Sequence, residues 1–526
     1  MTASTLFSAV FAAGRESQTA VLYEQREIAY DQLRAETIRT AEALHALGLE
    51  QGDRVAILLH DSPEFIASFV AIQSLGAIAV PINMGLRTDE QEKILADCTA
   101  RAAIVEADLC NTLLTDASGR LRHLGNVLVV DRGQDVRLDQ FDEFGAWLLD
   151  DAPRAVLDAN FPGPPTDETP SFILYTSGST GNPKGAVHRQ ANVIYTNDTF
   201  CKEVLRLRPG DRLFSSSRLP FAYGLGNSFS FPLLNGATTI LCREKPTPEV
   251  IGRILEEYKP TIFFGVPVVY NLLLDHHRRV RTVDCSSLRL CISAGEALPA
   301  HLGEEWQKAF GIEVLDGIGS TEMLHMWMSN LEGQVRYGSS GKVLGGYEAR
   351  LLDEHGNPTP AGAEGNLWVK GASAAMGYWE RPEATARTFV DGWVRTGDLY
   401  RCDEDGYWFH MGRSDDCFKS SGQWVSPVEV EGALLRCHGV GRVAVVEDFD
   451  DDGLPCACAF VVRDDVDSDA SKLEEEMRQL AKTALPRFKR PRRYVFVTEL
   501  PYTATGKVQR FRLRGQLRVR RTTATR

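Results

Sequence analysis

Short apolar runs bounded by turn residues recur through the first 340 or so residues, and they predict buried strands. The runs are VAILL at 55–59, AAIV at 102–105, VLVV at 127–130, FILYTS at 172–177, TTIL at 238–241, TIFFGV at 261–266, LRLCIS at 288–293 and IEVLD at 312–316. Between several of them the spacing becomes helical. In 31–48, Leu33, Ile38, Ala41, Leu44 and Leu47 recur every three to five residues, and 248–258 runs into a Lys-Pro stop. Strands alternating with helices predict parallel sheets covered by helices, an α/β body.

The texture changes after about residue 340. Short alternating strands and Gly/Pro-rich turns predict a small β-barrel-like subdomain over about 340–414, with DEHGNPTPAGAEG at 353–365 as a loop. Beyond GRSDD at 412–416 a small α+β unit follows. VEVEGALLRC (428–437) and KLEEEMRQLAKTAL (472–485) read as helices. RVAVVED (442–448) and CACAFVV (456–462) read as neighbouring strands, and RRYVFVTEL (492–500) as a last one.

Composition narrows the class. The chain has 526 residues, 43% of them hydrophobic and 25% charged, which excludes wholesale disorder and a small disulfide-stapled scaffold. Fifty-eight basic against 71 acidic residues leave a net charge of −13, unsuited to embracing nucleic acid or an anionic membrane. The 11 cysteines are odd in number and dispersed, without zinc-site spacing, so reduced thiols and a cytoplasmic setting are expected. Cys456 and Cys458 read as one face of a strand. LFSAVFAAG at 6–14 has no Lys or Arg before Arg15, so it reads as a first amphipathic helix rather than a signal peptide. No apolar window reaches the ~18 residues of a membrane span.

Two basic stretches stand out against the acidic whole. From Lys507 to the end there are eight basic residues and no acid, and the expectation is a solvated tail rather than a nucleic-acid arm. The cluster Arg487, Lys489, Arg490, Arg492 and Arg493 is the better candidate for touching a polyanionic small molecule.

The strongest local signal is ILYTSGSTGNPKGAVH at 173–188. A strand runs into a loop rich in Gly, Ser and Thr and closed by Lys184. Glycines let backbone N–H groups converge, hydroxyls add donors, and the lysine adds charge, so the segment reads as a phosphate cradle. It is not a Walker A loop, because Pro183 stands where the second Gly should be and Gly185 where Ser or Thr should be.

YTSGSTGNPKG resembles the signature of the adenylate-forming superfamily of acyl-CoA synthetases, luciferases and peptide-synthetase adenylation domains. FAYGLGN (221–227), DGIGSTE (316–322), WVRTGDLY (393–400), DGYWFHMGRSDDCFKSSGQWVSPVEVE (405–431) and PYTATGKVQR (501–510) follow in that superfamily's order. The resemblance covers essentially the whole chain. FAYGLGN and GSTEMLHMWMSN further resemble the benzoate-CoA ligase group. It implies an N-terminal domain over 1–414 and a mobile C-terminal domain over 415–526, hinged near Asp415. The implied reaction joins a small aromatic carboxylic acid, such as benzoate or a hydroxy- or amino-benzoate, to coenzyme A. It uses ATP and Mg²⁺ and passes through an aryl-adenylate. A carrier protein in place of free CoA, or a different carboxylic acid, is the alternative. No nucleic-acid or membrane partner is implied, and the enzyme is expected as a monomer or homodimer.

The resemblance also implies roles. Thr176, Ser177, Ser179, Thr180 and Lys184 hold the β- and γ-phosphates. Thr321 donates to the α-phosphate, Glu322 binds Mg²⁺, and Asp316 belongs to the nucleotide site. Asp398 accepts from the ribose hydroxyls and Arg413 adds a further ribose contact. Lys507 bridges the attacking carboxylate and the α-phosphate, which neutralises charge as the bond forms. After adenylation the C-terminal domain turns about Asp415. KSSGQW (419–424) then meets the site, with Lys419 serving thioester formation and Gly422 letting the pantetheine arm pass. The acid pocket falls to Phe221, Ala222, Tyr223, Gly224, Gly319, His325 and Met326, with Cys291 and Ile292 as further candidates. These residues are flat, small or apolar, as a benzene ring requires, and His325 is placed to guide the carboxylate. No acidic side chain lies in these segments to receive an ammonium, which disfavours an amino-acid substrate. Arg218 and Pro220 depart from the benzoate group's pattern and bear on which ring substituents are tolerated.

Overall fold

The computed structural model describes the chain except residues 1–4, 13, 110–120, 122, 134–137, 139–144, 158–160, 164–167, 177–182, 422, 451–452, 466–468, 503–507 and 525–526, and the side chains of 518–524. It divides into two compact units. The first is Met1–Tyr337 with Val343–Glu348 and Lys370–Val394; the second is Gly338–Lys342, Ala349–Val369 and Arg395–Arg526.

The first unit holds two sheets whose apolar runs are buried on both faces, as parallel strands under helices require. In one, Val314–Gly319, Leu290–Ser293, Ile262–Gly265, Arg212–Ser215, Thr238–Leu241 and Thr19–Tyr23 lie side by side and parallel. Met326–Ser329 and Arg26–Ala29 flank them antiparallel. In the other, Phe172–Thr176, Ile78–Pro81, Arg54–Leu58, Ala102–Glu106, Asn126–Val130 and Gly145–Leu148 run parallel. Lys184–His188 pairs antiparallel with Phe172–Thr176, and Gly377–Tyr378 with Lys184–His188. The predicted strands are thus recovered to within a few residues, as is the helix Tyr30–Ala46. The helix Pro248–Tyr258 ends at Lys259 in the left-handed region (φ 47°), just before Pro260. Pro63–Ser74 is a core helix: residues 65–74 are all buried, among them Phe65, Ile66, Phe69, Val70 and Ile72. Leu6–Val10 forms the expected first helix. Sequence-predicted site residues follow the parallel strands that end at residues 176, 215 and 319, on the side where open α/β sheets bind ligands.

In the second unit, Glu364–Lys370, Trp393–Cys402 and Trp408–Arg413 belong to a five-stranded sheet among the described residues. Beyond it, Val440–Phe449 and Pro455–Arg463 pair antiparallel, and Arg493–Phe496 joins parallel to the latter. The two faces of this sheet alternate with period two. Val443, Val445, Ala457, Ala459 and Val461 pack on Leu473, Met477 and Ala481 of the helix Ala470–Ala484. Ala444, Val446, Cys458 and Phe460 face the other way.

That second face corrects the solvated tail. Arg510–Ala524 is a helix, and Leu513 and Leu517, one turn apart, cover Ala444, Val446, Cys458 and Phe460. Arg510 pairs with Glu431 (2.8 Å) and Arg514 with Asp416 (2.9 Å). An apolar sheet face cannot be left to water, and two leucines at helical spacing outweigh the charges around them. In the 487–493 cluster, Lys489 pairs with Glu429, Arg492 with Asp450 and Arg493 with Asp448, while Arg490 donates to the carbonyls of Leu485 and Lys482. The ten described cysteines form no disulfide. Among the described residues no helix is long and apolar enough to cross a membrane.

Candidate active site

Lys184 opens its strand directly opposite Thr176, so the two ends of the cradle are fixed by strand pairing. Ser177, Ser179 and Thr180 lie outside the described residues, as do Gly422 and Lys507. Lys184 Nζ sits 5.4 Å from the centre of the Tyr378 ring, and Tyr378 Oη donates to Glu322 Oε1 at 2.6 Å. Tyr378 reaches this point because Gly377–Tyr378 pairs with Ala186–Val187.

Thr321 and Glu322 begin a single 3₁₀ turn capped by Ser320, whose hydroxyl accepts from the Met323 N–H. Their backbone is clamped from two sides. His188 Nε2 donates to the Thr321 carbonyl (2.8 Å), and the Ala375 N–H donates to that of Glu322 (2.8 Å). Asn192 accepts from the Arg189 N–H and donates to the Ala372 carbonyl, which ties the same segment down. Burial lowers the His188 pKa to about 4, so its ring is neutral near pH 7. Glu322 is a hard oxygen donor whose second oxygen receives no hydrogen bond from a described residue. A single carboxylate of this kind fits Mg²⁺, which is commonly held by one or two carboxylates plus substrate phosphates.

Leu324 takes a left-handed φ of 65°, and this bend turns the next side chain to a different environment. His325 is buried among rings, with Phe200 and Phe231 each at 4.6 Å and Tyr223 at 5.5 Å between centroids. Its Nε2 lies 3.2 Å from the Asn227 carboxamide oxygen. Burial pulls its pKa down to about 3, so it is uncharged at neutral pH. Tyr223 Oη donates to the Ile292 carbonyl (3.2 Å), and its ring meets Phe264 edge-on. Gly224 packs against backbone: a Cβ there would lie 2.0 Å from the Arg218 carbonyl oxygen. Phe221 caps the short helix Ala222–Leu225. Gly319 pairs with Met326 in the strand hairpin, and a Cβ on it would meet the His325 carbonyl at 2.7 Å. Cys291 and Ile292 are neighbours in one strand and so point to opposite faces. Cys291 packs in the core with Phe263, Tyr270, Trp306 and Val314, which removes it from the pocket candidates. Asp316 is buried, its Oδ2 accepts from the Leu298 N–H (3.3 Å), and burial raises its pKa to about 8. Arg218 reaches the carbonyls of Cys242, Arg243 and Glu244, and lies 3.7 Å from Asp61. It therefore anchors the loop before Phe221.

In the second unit, strand pairing sets Asp398 against Arg413. Arg413 Nη1 donates to Asp398 Oδ1 (3.2 Å) and to the Thr396 carbonyl (2.9 Å). Gly397, at φ 76°, leaves the space beside the guanidinium. His410 Nε2 lies 3.6 Å from the same carboxylate. Burial pushes the Asp398 carboxyl up, but His410 and Arg413 more than reverse that, and it ionises below the usual carboxylate range. Asp415 Oδ1 lies 3.7 Å from Arg413 Nε. Lys419 sits on the hairpin Phe418–Ser420/Gln423–Val425, paired with Glu354 (2.8 Å) and 4.9 Å from the Trp424 ring centre.

Sequence reading missed Tyr378, His188, Asn192 and Asn227. His188 and Asn227 close two quoted motifs, which was a usable signal. Tyr378 and Asn192 are brought in by strand pairing and loop closure, which spacing does not show.

Two family models match the chain: the AMP-binding enzyme model over residues 9–379 and the AMP-binding enzyme C-terminal domain model over 429–507. A benzoate–CoA ligase of Thauera aromatica is 40% identical, covering 95% of this chain and 93% of that protein. The crystal structure of the anthranilate CoA ligase AuaEII in complex with anthranoyl-AMP superposes with a TM-score of 0.91 at 36% identity, covering 99% of both chains. A benzoate CoA ligase from Burkholderia xenovorans LB400 gives a TM-score of 0.86 at 36% identity, covering 97% of this chain and 100% of that one.

Proposed function

The chain belongs to the AMP-binding enzyme family, and we propose that it is an ATP-dependent aryl-CoA ligase. Its substrate is benzoate or a small hydroxy- or amino-substituted benzoate, its products aryl-CoA, AMP and pyrophosphate. One observation carries the reading. Within Gly319–Met326, Glu322 meets Tyr378 beside Lys184 while His325 joins a buried, uncharged group of rings. A ring held beside His325 would put its carboxylate within a few residues of the groups that suit a triphosphate. Among the described residues around His325 no ionised partner for an ammonium is seen, which favours a neutral aryl group.

In this reading a carboxylate oxygen attacks the α-phosphorus and pyrophosphate leaves. Thr176 and Lys184 hold the departing phosphates and Thr321 the α-phosphate. Glu322 would bind Mg²⁺, which supplies charge neutralisation on the phosphates. Asp398, held ionised by its partners, accepts from the ribose hydroxyls, and Arg413 orients it. Lys507 neutralises charge as the adenylate forms. The C-terminal residues then turn about Asp415, and Lys419 serves transfer to the thiol of CoA. Phe221, Ala222, Tyr223, Gly224, Gly319 and His325 wall the ring. The enzyme acts in the cytoplasm.

A carboxylate panel read as pyrophosphate release tests this. Benzoate and its hydroxy and amino derivatives should drive release well above acetate, fatty acids and amino acids; a preference for an aliphatic acid would overturn the aryl assignment. Lys507→Ala should lower adenylation by about 10²–10³-fold and leave transfer from supplied aryl-adenylate to CoA near wild type. Full adenylation by that variant would sink its proposed role.

A further inference from the structure

Lys184 and Glu322 both touch Tyr378, yet they make no ion pair with each other. A lysine and a glutamate so placed would ordinarily gain by pairing, and pairing would neutralise both. A phosphate chain or a cation entering afterwards would first have to break that pair. Each of them instead contacts Tyr378. Its uncharged hydroxyl holds Glu322 at 2.6 Å, and its ring face holds the Lys184 ammonium at 5.4 Å. Both interactions leave the full charge in place, and both are weaker than what a triphosphate or a divalent cation offers.

The tyrosine is itself pinned. Met376 N–H donates to the Val187 carbonyl, Trp379 N–H to that of Gly185, and Tyr378 N–H to the Thr385 hydroxyl (2.9 Å). Gly377, at φ 147°, packs its α-carbon against the Thr385 methyl, where a Cβ would come within 2.7 Å. The Tyr378 ring packs edge-on to Phe389 at 5.6 Å. So fixed a backbone gives the side chain little freedom to serve as a mere surface filler.

We propose that Tyr378 is a positioning residue that keeps Lys184 and Glu322 apart and charged, the lysine for phosphate and the glutamate for the cation that accompanies it. The proposal rests on the nucleotide reading of those two residues. It predicts a split that loss of packing alone would not give. Removing the hydroxyl frees Glu322 but keeps the ring under Lys184; removing the ring frees both.

The test uses the full chain with Tyr378→Phe and Tyr378→Leu. Mn²⁺ binding in the presence of ATP is followed by electron paramagnetic resonance, and ATP binding in EDTA by calorimetry. Tyr378→Phe should weaken Mn²⁺ about tenfold, the equivalent of one hydrogen bond to a charged group. Its metal-free ATP affinity should stay within about twofold of wild type, the scale of a loss smaller than one weak hydrogen bond. Tyr378→Leu should lose affinity in both measurements. Wild-type Mn²⁺ affinity in Tyr378→Phe, or tighter binding in it, would overturn the proposal, and the Phe arm decides even if the Leu variant fails to fold. A wild-type protein that binds Mn²⁺ and ATP but activates no aryl acid would sink the proposed function and leave this split standing. An active enzyme without the split would sink only the role of Tyr378.

Discussion

Around Tyr223 and His325 the first unit buries titratable groups uncharged, whereas around Asp398 and Arg413 the second unit keeps buried charge by pairing it. Burial holds the His325 imidazole down to about pKa 3 and the nearby carboxyl of Asp316 up to about 8. Asp398 is buried too, yet His410 and Arg413 hold it ionised. Desolvation acts the same way in both places, and the difference is whether an opposite charge stands within a few ångströms. A region built on neutrality suits an aromatic ring and selects by shape. A region built on a paired carboxylate suits hydroxyl donors and selects by hydrogen bonding.

Gly224→Ala should break the neutral region most severely. Its Cβ would meet the Arg218 carbonyl at 2.0 Å, and backbone cannot yield as a flexible side chain can. Benzoate kcat/KM should fall by about 100-fold or more, given ~3 kcal/mol of overpacking strain, with the KM for ATP little changed. Asp398→Asn attacks the charged region. It keeps shape but removes charge, and steady-state kinetics should show the KM for ATP rising about 30-fold, from ~2 kcal/mol of charge-assisted hydrogen bonding. The benzoate KM should move far less. Equal effects on both substrates in either variant would erase the contrast between the regions.

His325→Phe should act through pH. Between the ordinary histidine pKa and about 3, the unfolded chain binds a proton that the folded chain refuses. Stability from this group is therefore complete above about pH 6.5 and lost as pH falls below it. Urea unfolding at pH 6.5 and pH 5 should show wild type losing about 1–2 kcal/mol more than the variant. A variant with the wild-type slope would mean that His325 takes up a proton inside the fold.

Much of the fold was legible because its strands are uninterrupted apolar runs, such as TTIL, which the structure reproduces residue for residue as Thr238–Leu241. Asp398 and Arg413 were legible as motif residues, and strand register explains why they meet. The tail was misread because its charges dominate the composition, while Leu513 and Leu517 show their purpose only once the bare face of Ala444, Val446, Cys458 and Phe460 is known. Cys291 was named beside Ile292 as a further candidate, but neighbours in one strand face opposite sides, and Cys291 packs in the core. Tyr378 was invisible because it meets Glu322 across 56 residues of sequence. Arg218, noted only as a departure from the benzoate pattern, proves to tie the pocket loop to the carbonyls of 242–244.

The central claim, that a ring carboxylate is activated on ATP before any thiol takes part, is tested most directly by isotope exchange between labelled pyrophosphate and ATP with CoA left out. Benzoate should drive rapid exchange that needs Mg²⁺ and that collapses when CoA draws the adenylate forward. Exchange that appears only when CoA is present, or that benzoate does not stimulate, would contradict it.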